Sequence, residues 1–467
     1  MQVTSKHGSP PNLSYFGTSM THKPLSHMKS CRIVSISIAL IFLNLCNPLS
    51  AQMSLLKPQV DQLSKDIEAR AIEWRHHFHQ FPELSNREYN TASYIATYLK
   101  SLGLEVRTQV AYTGVVAILR GDKPGPVVAL RADMDALPVK ERVDVPFASH
   151  ERSEYAGDSV DVMHACGHDM HIAMLMGAAD VMSHLKSSLA GTIVFVFQPA
   201  EEMAPPGEQG GAEFMIREGV LENPKVDVIF GLHMSSSLEV GKIRYKPGPA
   251  MASQNPFTIT VRGKQTHGAA PWNGVDPIVT AAQIVIGLQT IVSRQMDLTK
   301  EPIVVSIGKI EGGLRTNIIP EEVTMVGTIR TLDTAMQREV FERIERTCVN
   351  IAESMGATAE VNIEKGYPVT FNDIELTRKM LPTINEVAGG EQNVILMKPI
   401  TGAEDFSFYA RQIPGLFLFL GGMAPGMNSA DAPPHHTPDF RVEDSSILLG
   451  IRTLCYLALD YADASRK

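Results

Sequence analysis

The sequence is short of cysteine, of net basic charge and of repeated or low-complexity segments, and each absence removes a class of protein. Five cysteines (Cys31, Cys46, Cys166, Cys348, Cys455) in 467 residues are too few and too scattered for a disulfide scaffold. With 42 Lys and Arg against 51 Asp and Glu, the net charge is -9. No basic field is available to neutralise phosphates, which excludes a nucleic-acid binder. An anionic small substrate is not excluded, because a few local Arg or His residues could hold it. The lack of an internal repeat argues against a solenoid. What remains is ordinary globular composition, 44% hydrophobic and 20% charged. A single core stops growing at roughly 250–300 residues, so two domains are expected.

Residues 1–51 form a separate object. They hold Lys6, Lys23, Lys29 and Arg32 and no acidic residue. The mostly apolar run from Ile33 to Cys46 follows Lys29 and Arg32 and precedes Pro48-Leu49-Ser50-Ala51, a small-residue cleavage pattern. This order of basic, apolar and small segments is that of a secretory signal peptide. The run is shorter than the roughly twenty residues of a membrane span. Met28 opens a segment that reads as the natural start of such a peptide, so the true translation start is expected there. The expected localisation is export, periplasmic or secreted. The remainder of the chain carries 38 basic and 51 acidic residues, a charge of -13.

From Leu55 onward, helical stripes alternate with short apolar runs. Val60, Leu63, Ile67, Ala71, Trp74 and Phe78 lie at helical spacing, and Thr91–Leu102 reads as a second helix closed by Gly103. Gly114–Leu119, Pro126–Leu130, Thr192–Phe197 and Val226–Gly231 read as buried strands, with a helix at His168–Leu185 among them. Apolar runs bounded by Gly or Pro and separated by helices indicate an α/β domain with a mixed, mostly parallel sheet flanked by helices. A second module of four strands and two helices occupies 251–366. The α/β character resumes afterwards, so 52–250 and 367–467 are expected to form one domain around an α+β insertion.

Ligands of open α/β sheets bind beyond the carboxyl ends of the strands, and three of these strands run into polar chemistry. Pro126–Leu130 leads to Arg131, Asp133 and Asp135, Thr192–Phe197 to Glu201 and Glu202, and Val226–Gly231 to His233. The densest cluster is His164-Ala165-Cys166-Gly167-His168-Asp169-Met170-His171. Cys166 and His168 flank a glycine that lets the backbone bend, so both can reach one ion. His171 is expected behind the ligands rather than among them, and His164 has no assigned role. Adjacent Glu201 and Glu202 point in different directions, so one can bind metal while the other faces the substrate water. That division suits metal-assisted hydrolysis, in which a cation lowers the pKa of bound water towards about 7 and a carboxylate takes its proton. Late in the chain, Pro434 and Pro438 enclose His435 and His436, one of which suffices as a last ligand.

RADMDALP at 131–138, MHACGHDMH at 163–171, FQPAEE at 197–202, GLHM at 231–234, HGAAP at 267–271, TNIIP at 316–320 and TGAEDFSFY at 401–409 occur in this order. Together they resemble the amidohydrolase branch of the aminoacylase/glutamate carboxypeptidase-type metallopeptidases, which includes hippurate hydrolases and plant hydrolases of indoleacetyl-amino acids. The resemblance runs from about Ile67 to the C-terminus. It implies a catalytic domain holding two divalent ions and a smaller inserted lid and dimerisation domain. Cys166 would bridge the ions, with His168 and His233 on one, and Glu202 and His436 on the other. Glu201 would be the general base and Asp135 would orient a ligand from behind. Asp133 stands where related peptidases outside this branch have a metal-binding His. In the insertion, His267 would polarise the scissile carbonyl, across a dimer interface in one arrangement, while Asn317 and Arg330 would hold the substrate carboxylate.

The expected function is therefore metal-dependent hydrolysis of the amide of an N-acyl-amino acid or related small amide or peptide, in a homodimer without a stable membrane span. Thiolate and imidazole donors favour Zn²⁺, whereas carboxylates tolerate Mn²⁺. Two alternatives stand beside it. One is a cysteine-nucleophile hydrolase built on Cys166, which would survive a chelator. The other is a non-catalytic ligand-binding protein of the cell envelope.

Overall fold

The computed structural model describes residues 56–464. The expected signal peptide at 1–51 lies outside the described residues. The main body is an eight-stranded mixed sheet with helices against it, and its four central strands are parallel. In order these are Ala190–Gln198, Lys123–Asp133, Val228–Glu239 and Gly415–Met423. Glu105–Val110 and Gly114–Arg120 extend one side, Ile243–Tyr245 and Val394–Leu396 the other. The central strands are apolar along their length: Gly415–Met423 is buried at every position. A strand covered on both faces needs that pattern.

The helix His168–His184 is buried nearly all round. It packs beside Lys57–Gln80, whose buried stripe is Val60, Ile67, Ala71, Trp74 and Phe78, and beside Ile447–Ala464. Two glycines allow the close crossing with Ile447–Ala464. A Cβ on Gly177 would stand 2.5 Å from Ile451 Cδ1, and one on Gly450 would stand 2.1 Å from the Met174 sulfur. This packing fixes the helix whose first residue is His168.

The expected strand ending at Gly231 instead runs from Val228 to Glu239, so His233 lies inside a strand rather than beyond one. The pairing explains the difference. Lys123–Asp133 stops pairing at Arg131 opposite Gly231, whereas Gly415–Met423 continues alongside, with Phe419 opposite His233. His233 is thus past the end of one neighbour and still held by the other. The last two strands on that side, Ile243–Tyr245 and Val394–Leu396, have only three residues each, too short for an alternation to show in the sequence.

The insertion has its own core. Four antiparallel strands lie in the order Ile303–Gly312, Glu322–Thr331, Asn255–Arg262, Thr358–Ile363. Along Asn255–Arg262 burial alternates, and Phe257, Ile259 and Val261 point inward. The helices Pro277–Thr290 and Thr334–Ser354 cover that face with Ile284, Leu288, Val340, Ile344 and Cys348. Each has an Asp cap, Asp276 accepting from the Ile278 and Val279 N–H groups and Asp333 from that of Met336. The helix Pro277–Thr290 runs on into a π turn, Ile291–Gln295. That span is long and apolar enough to cross a membrane by length and composition, and Ala281, Ile284 and Leu288 pack in the insertion's core. Where the chain enters and leaves the insertion, Gly366 lies so close to Gln254 that a Cβ would fall 1.8 Å from the Gln254 carbonyl oxygen. Ser253 also hydrogen-bonds Thr331 through both side-chain hydroxyls, at 2.8 Å.

Candidate active site

Two groups of potential donors share Cys166. Its Sγ, the imidazoles of His168 and His233 form one; Sγ with Glu202 and His436 forms the other, every donor atom within 4.8 Å of the rest of its group. Sγ lies 3.5 Å from His233 Nε2 and 3.3 Å from His436 Nε2, and the latter is 2.9 Å from Glu202 Oε1. Gly167 adopts φ 93°, which turns the backbone between Cys166 and the first residue of the helix. A Cβ at Gly167 would come 3.1 Å from Met234 Cβ, on the strand that carries His233.

Behind these donors lies a layer of hydrogen bonds that sets their orientation. His168 Nδ1 is 2.8 Å from the Asp135 carbonyl oxygen and 3.3 Å from its Oδ1. Asp135 Oδ2 accepts from the Ser85 hydroxyl at 2.7 Å and from the Glu202 N–H at 2.9 Å. One carboxylate therefore positions both His168 and the Glu202 backbone, with a lone pair on His168 Nε2 left for the centre when Nδ1 donates. His233 Nδ1 donates in the same way to the Met234 carbonyl at 2.7 Å. Both nitrogens of His171 are engaged: Nδ1 meets Asp133 Oδ1 at 2.5 Å, and Nε2 accepts from the Met234 N–H at 2.8 Å. His171 and Asp133 brace the donors. His435 Nε2 is likewise taken, accepting from the Ser236 N–H at 3.2 Å, and His436 is the histidine of the pair that meets Glu202. His164 is buried with neither ring nitrogen partnered, and burial holds it down at about 3.

These residues fit divalent cations. His168 Nε2 is buried, has no hydrogen-bond partner, and faces Glu201 and Glu202 at 3.8 and 3.9 Å. Burial, and then the charges of Glu202 and Glu201, push the Cys166 thiol well up. A nucleophilic cysteine needs the opposite environment, one that depresses its pKa. A soft donor amid imidazoles and uncompensated carboxylates is the chemistry of a transition-ion site.

The relatives agree. The family model described as peptidase family M20/M25/M40 matches residues 129–460. Thermostable carboxypeptidase 2 of Saccharolobus solfataricus is 40% identical, over 85% of this chain and 97% of its own length. The N-acyl-L-amino acid amidohydrolase of Geobacillus stearothermophilus is 42% identical, over 68% of this chain and 82% of its own. A solved Bacillus subtilis structure, described as a dinuclear metal-binding peptidase of the M20 family, superimposes with a TM-score of 0.71 at 34% identity, covering 85% of this chain and 99% of that one. The chain belongs to the M20/M25/M40 peptidase family. It is a metal-dependent amide hydrolase.

In this M20 enzyme the donors open on a cavity of about 680 Å³ that Glu201, Tyr367 and Arg330 also line. Glu201 is buried next to Glu202, and its backbone carbonyl accepts from the Tyr367 hydroxyl at 2.7 Å. Burial, then Glu404 and Glu202, raise its carboxyl well above the ordinary range. Arg330 brings a guanidinium from the insertion into the same cavity, and burial lowers its pKa. His267 and Asn317 do not line it. Both are exposed, on a two-stranded ladder formed by Thr266–His267 and Ile318–Ile319, where the Gly268 N–H donates to the Asn317 carbonyl at 2.8 Å. A single chain thus unites eight of the ten expected site residues and leaves these two apart.

Sequence reasoning gave no role to a buried polar network beneath Glu201. Arg131 is fully buried and donates to Gln198 Oε1 at 2.9 Å, Asp133 Oδ2 at 2.6 Å and Asp405 Oδ1 at 3.0 Å, and it pairs with Glu404 at 3.0 Å. Burial raises Glu404 to about 8 against the opposing charge of Arg131. Ala200 has φ 53°, and its N–H donates to Glu88 Oε1 at 2.9 Å, which fixes the turn that presents Glu201 and Glu202. The Arg and acid pair in RADMDALP and TGAEDFSFY carried a signal for part of this network; Glu88 sits in no motif.

Proposed function

We propose that this M20 hydrolase cleaves N-acyl-amino acids, or small peptides with a free carboxylate, using two divalent cations of the Zn²⁺ or Mn²⁺ type. The observation that carries the proposal is the pair of donor groups sharing Cys166, with Glu201 beside them. Cys166 would bridge, His168 and His233 would hold one ion, and Glu202 and His436 the other. Bound cations would acidify a water and polarise the substrate carbonyl. Glu201 takes the proton from the attacking water and delivers it to the leaving amine. Asp135 keeps His168 and Glu202 in register, and the Arg330 guanidinium grips the carboxylate of the amino-acid half.

His267 and Asn317 complete the site from a second copy of the chain. Their exposure supports this, as do the apolar side chains of the insertion that face outward, among them Ile286, Ile310 and Leu314. His267 would donate to the developing oxyanion. The basic leader without acids supports export, and sequencing the mature N-terminus tests the start at Met28: a terminus upstream of Met28 contradicts that start. For the function itself, the test is chelation and reloading with defined metals, assayed on N-acetyl, benzoyl, long-chain acyl and dipeptide substrates. Loss and recovery of hydrolysis are expected. Activity that survives full metal removal would return Cys166 to the role of nucleophile, and a fully loaded protein that cleaves none of the panel would be a binding protein.

A further inference from the structure

The active-site cavity holds a second guanidinium that the proposed chemistry leaves unused. Arg244 lies on the short strand Ile243–Tyr245 and lines the cavity together with Cys166 and Arg330. The sheet register fixes its relation to the donors. Phe419 is paired with His233 on one side and with Arg244 on the other. Directly paired residues project to the same face of a sheet, so Arg244 rises from the face that carries His233. Two interstrand spacings separate their backbones by roughly 10 Å, a distance that a long Arg side chain and a substrate of a few bonds can share.

The local partners of Arg244 do not satisfy it. Nη1 reaches the hydroxyls of Ser235 and Ser237 at 3.4 Å each, and Nη2 the Ser237 carbonyl at 3.3 Å. All three contacts are long, and all are to neutral groups. No carboxylate among the described residues forms an ion pair with Arg244, in contrast to Arg131 within the same sheet, which meets three. Arg244 is half-buried, so its charge is partly removed from water with nothing anionic in exchange. A planar fork facing a cavity, flanked by two hydroxyls, is arranged for an incoming carboxylate.

We propose that Arg244, supported by Ser235 and Ser237, is a second anion-binding point of the cavity, and that the preferred substrates are N-acyl-amino acids bearing two carboxylates. One would meet Arg330 and the other Arg244. The inference rests on the acyl-amino-acid reading and narrows it to dianions. The second carboxylate has two possible homes, the side chain of the amino-acid half or the far end of a dicarboxylic acyl half, and matched substrates separate them.

The test compares kcat/KM for N-acetyl-glutamate against N-acetyl-glutamine, and for N-succinyl-alanine against N-succinamoyl-alanine. It uses the metal-loaded wild type, Arg244→Met and Arg244→Lys. In the wild type, one dianion is expected to exceed its monoanionic amide counterpart at least tenfold. That ratio should fall below about threefold in Arg244→Met and be partly kept in Arg244→Lys, with metal content measured alongside to show an intact centre. No preference in the wild type, or one that survives Arg244→Met, overturns the proposal. If none of these amides nor any monoanionic acyl-amino acid is cleaved, the broader reading has failed. Calorimetric titration with glutarate then decides the anion site by itself. At least tenfold weaker binding in Arg244→Met sustains it, and equal or absent binding overturns it.

Discussion

The donor cluster on the main sheet and the substrate-facing residues of the insertion are built in opposite ways. Cys166, His168 and Glu201 are buried, on elements locked by the Gly177 and Gly450 crossing and by a second layer of Asp135, Glu88 and Arg131. His267 and Asn317 stand in solvent at a ladder of two-residue strands, whereas Arg330 reaches the cavity from the insertion. Metal ligands must hold their geometry without the substrate, so they are set on rigid, buried elements. Groups that close over a substrate must move or arrive from elsewhere, and a separate module with its own core can do so as a unit.

That contrast can be broken experimentally, beginning with the side expected to be rigid. Cys166→Ala removes the donor common to both groups. Metal per chain should fall, and activity should drop by more than the roughly 10–100-fold that losing an outer supporting residue causes; full metal occupancy by elemental analysis would remove Cys166 from its bridging role. On the insertion, His267→Ala should lower kcat by about 10²–10³, the scale of a lost oxyanion donor, with metal content unchanged. Mixing it with Glu201→Gln should restore turnover if His267 serves a second copy, because one site in the hybrid then has both residues intact. No recovery in proven hybrids would place His267 in its own chain's site.

Arg330→Met should act mainly on KM, raising it about tenfold or more, as loss of a charged hydrogen bond to the substrate carboxylate requires. An unchanged KM for carboxylate-bearing substrates would leave Arg330 as a structural residue. The last effect is on stability rather than on turnover and belongs to Glu88. Burial, followed by the charge of Asp135, raises it from an ordinary 4.5 to about 8. A carboxyl raised in the folded state stabilises the fold fully below about pH 4.5, and that contribution is lost as pH climbs through 8. Glutamine can still accept from the Ala200 N–H and can donate to the Thr113 hydroxyl. Metal-stripped wild type should therefore lose stability relative to Glu88→Gln between pH 4.5 and 8, by about 1.4 kcal/mol per unit at most. Parallel urea midpoints across that range would contradict it.

The donors were legible because their chemistry is local: Cys166 and His168 straddle a glycine, and Glu201 and Glu202 follow an apolar strand. The four-strand, two-helix insertion was legible as a run of elements set between two stretches of α/β character. The second layer was not. Arg131 meets Asp405 across 274 positions and Glu88 meets Ala200 across 112, so no sequence window contains either pair. The extension of Val228–Glu239 past His233 depends on which neighbour strand stops first, a tertiary fact. The different placement of His435 and His436, the first accepting from the Ser236 N–H and the second beside Glu202, depends on a backbone group whose place no side-chain pattern reveals.

The most direct measurement is turnover together with metal content in Glu201→Gln, which keeps the shape of the side chain and removes its ability to accept a proton. Undiminished metal and a fall in kcat of about 10²–10⁴ are expected of a lost general base. Unchanged turnover with full metal would contradict the assignment of Glu201 and the mechanism built on it.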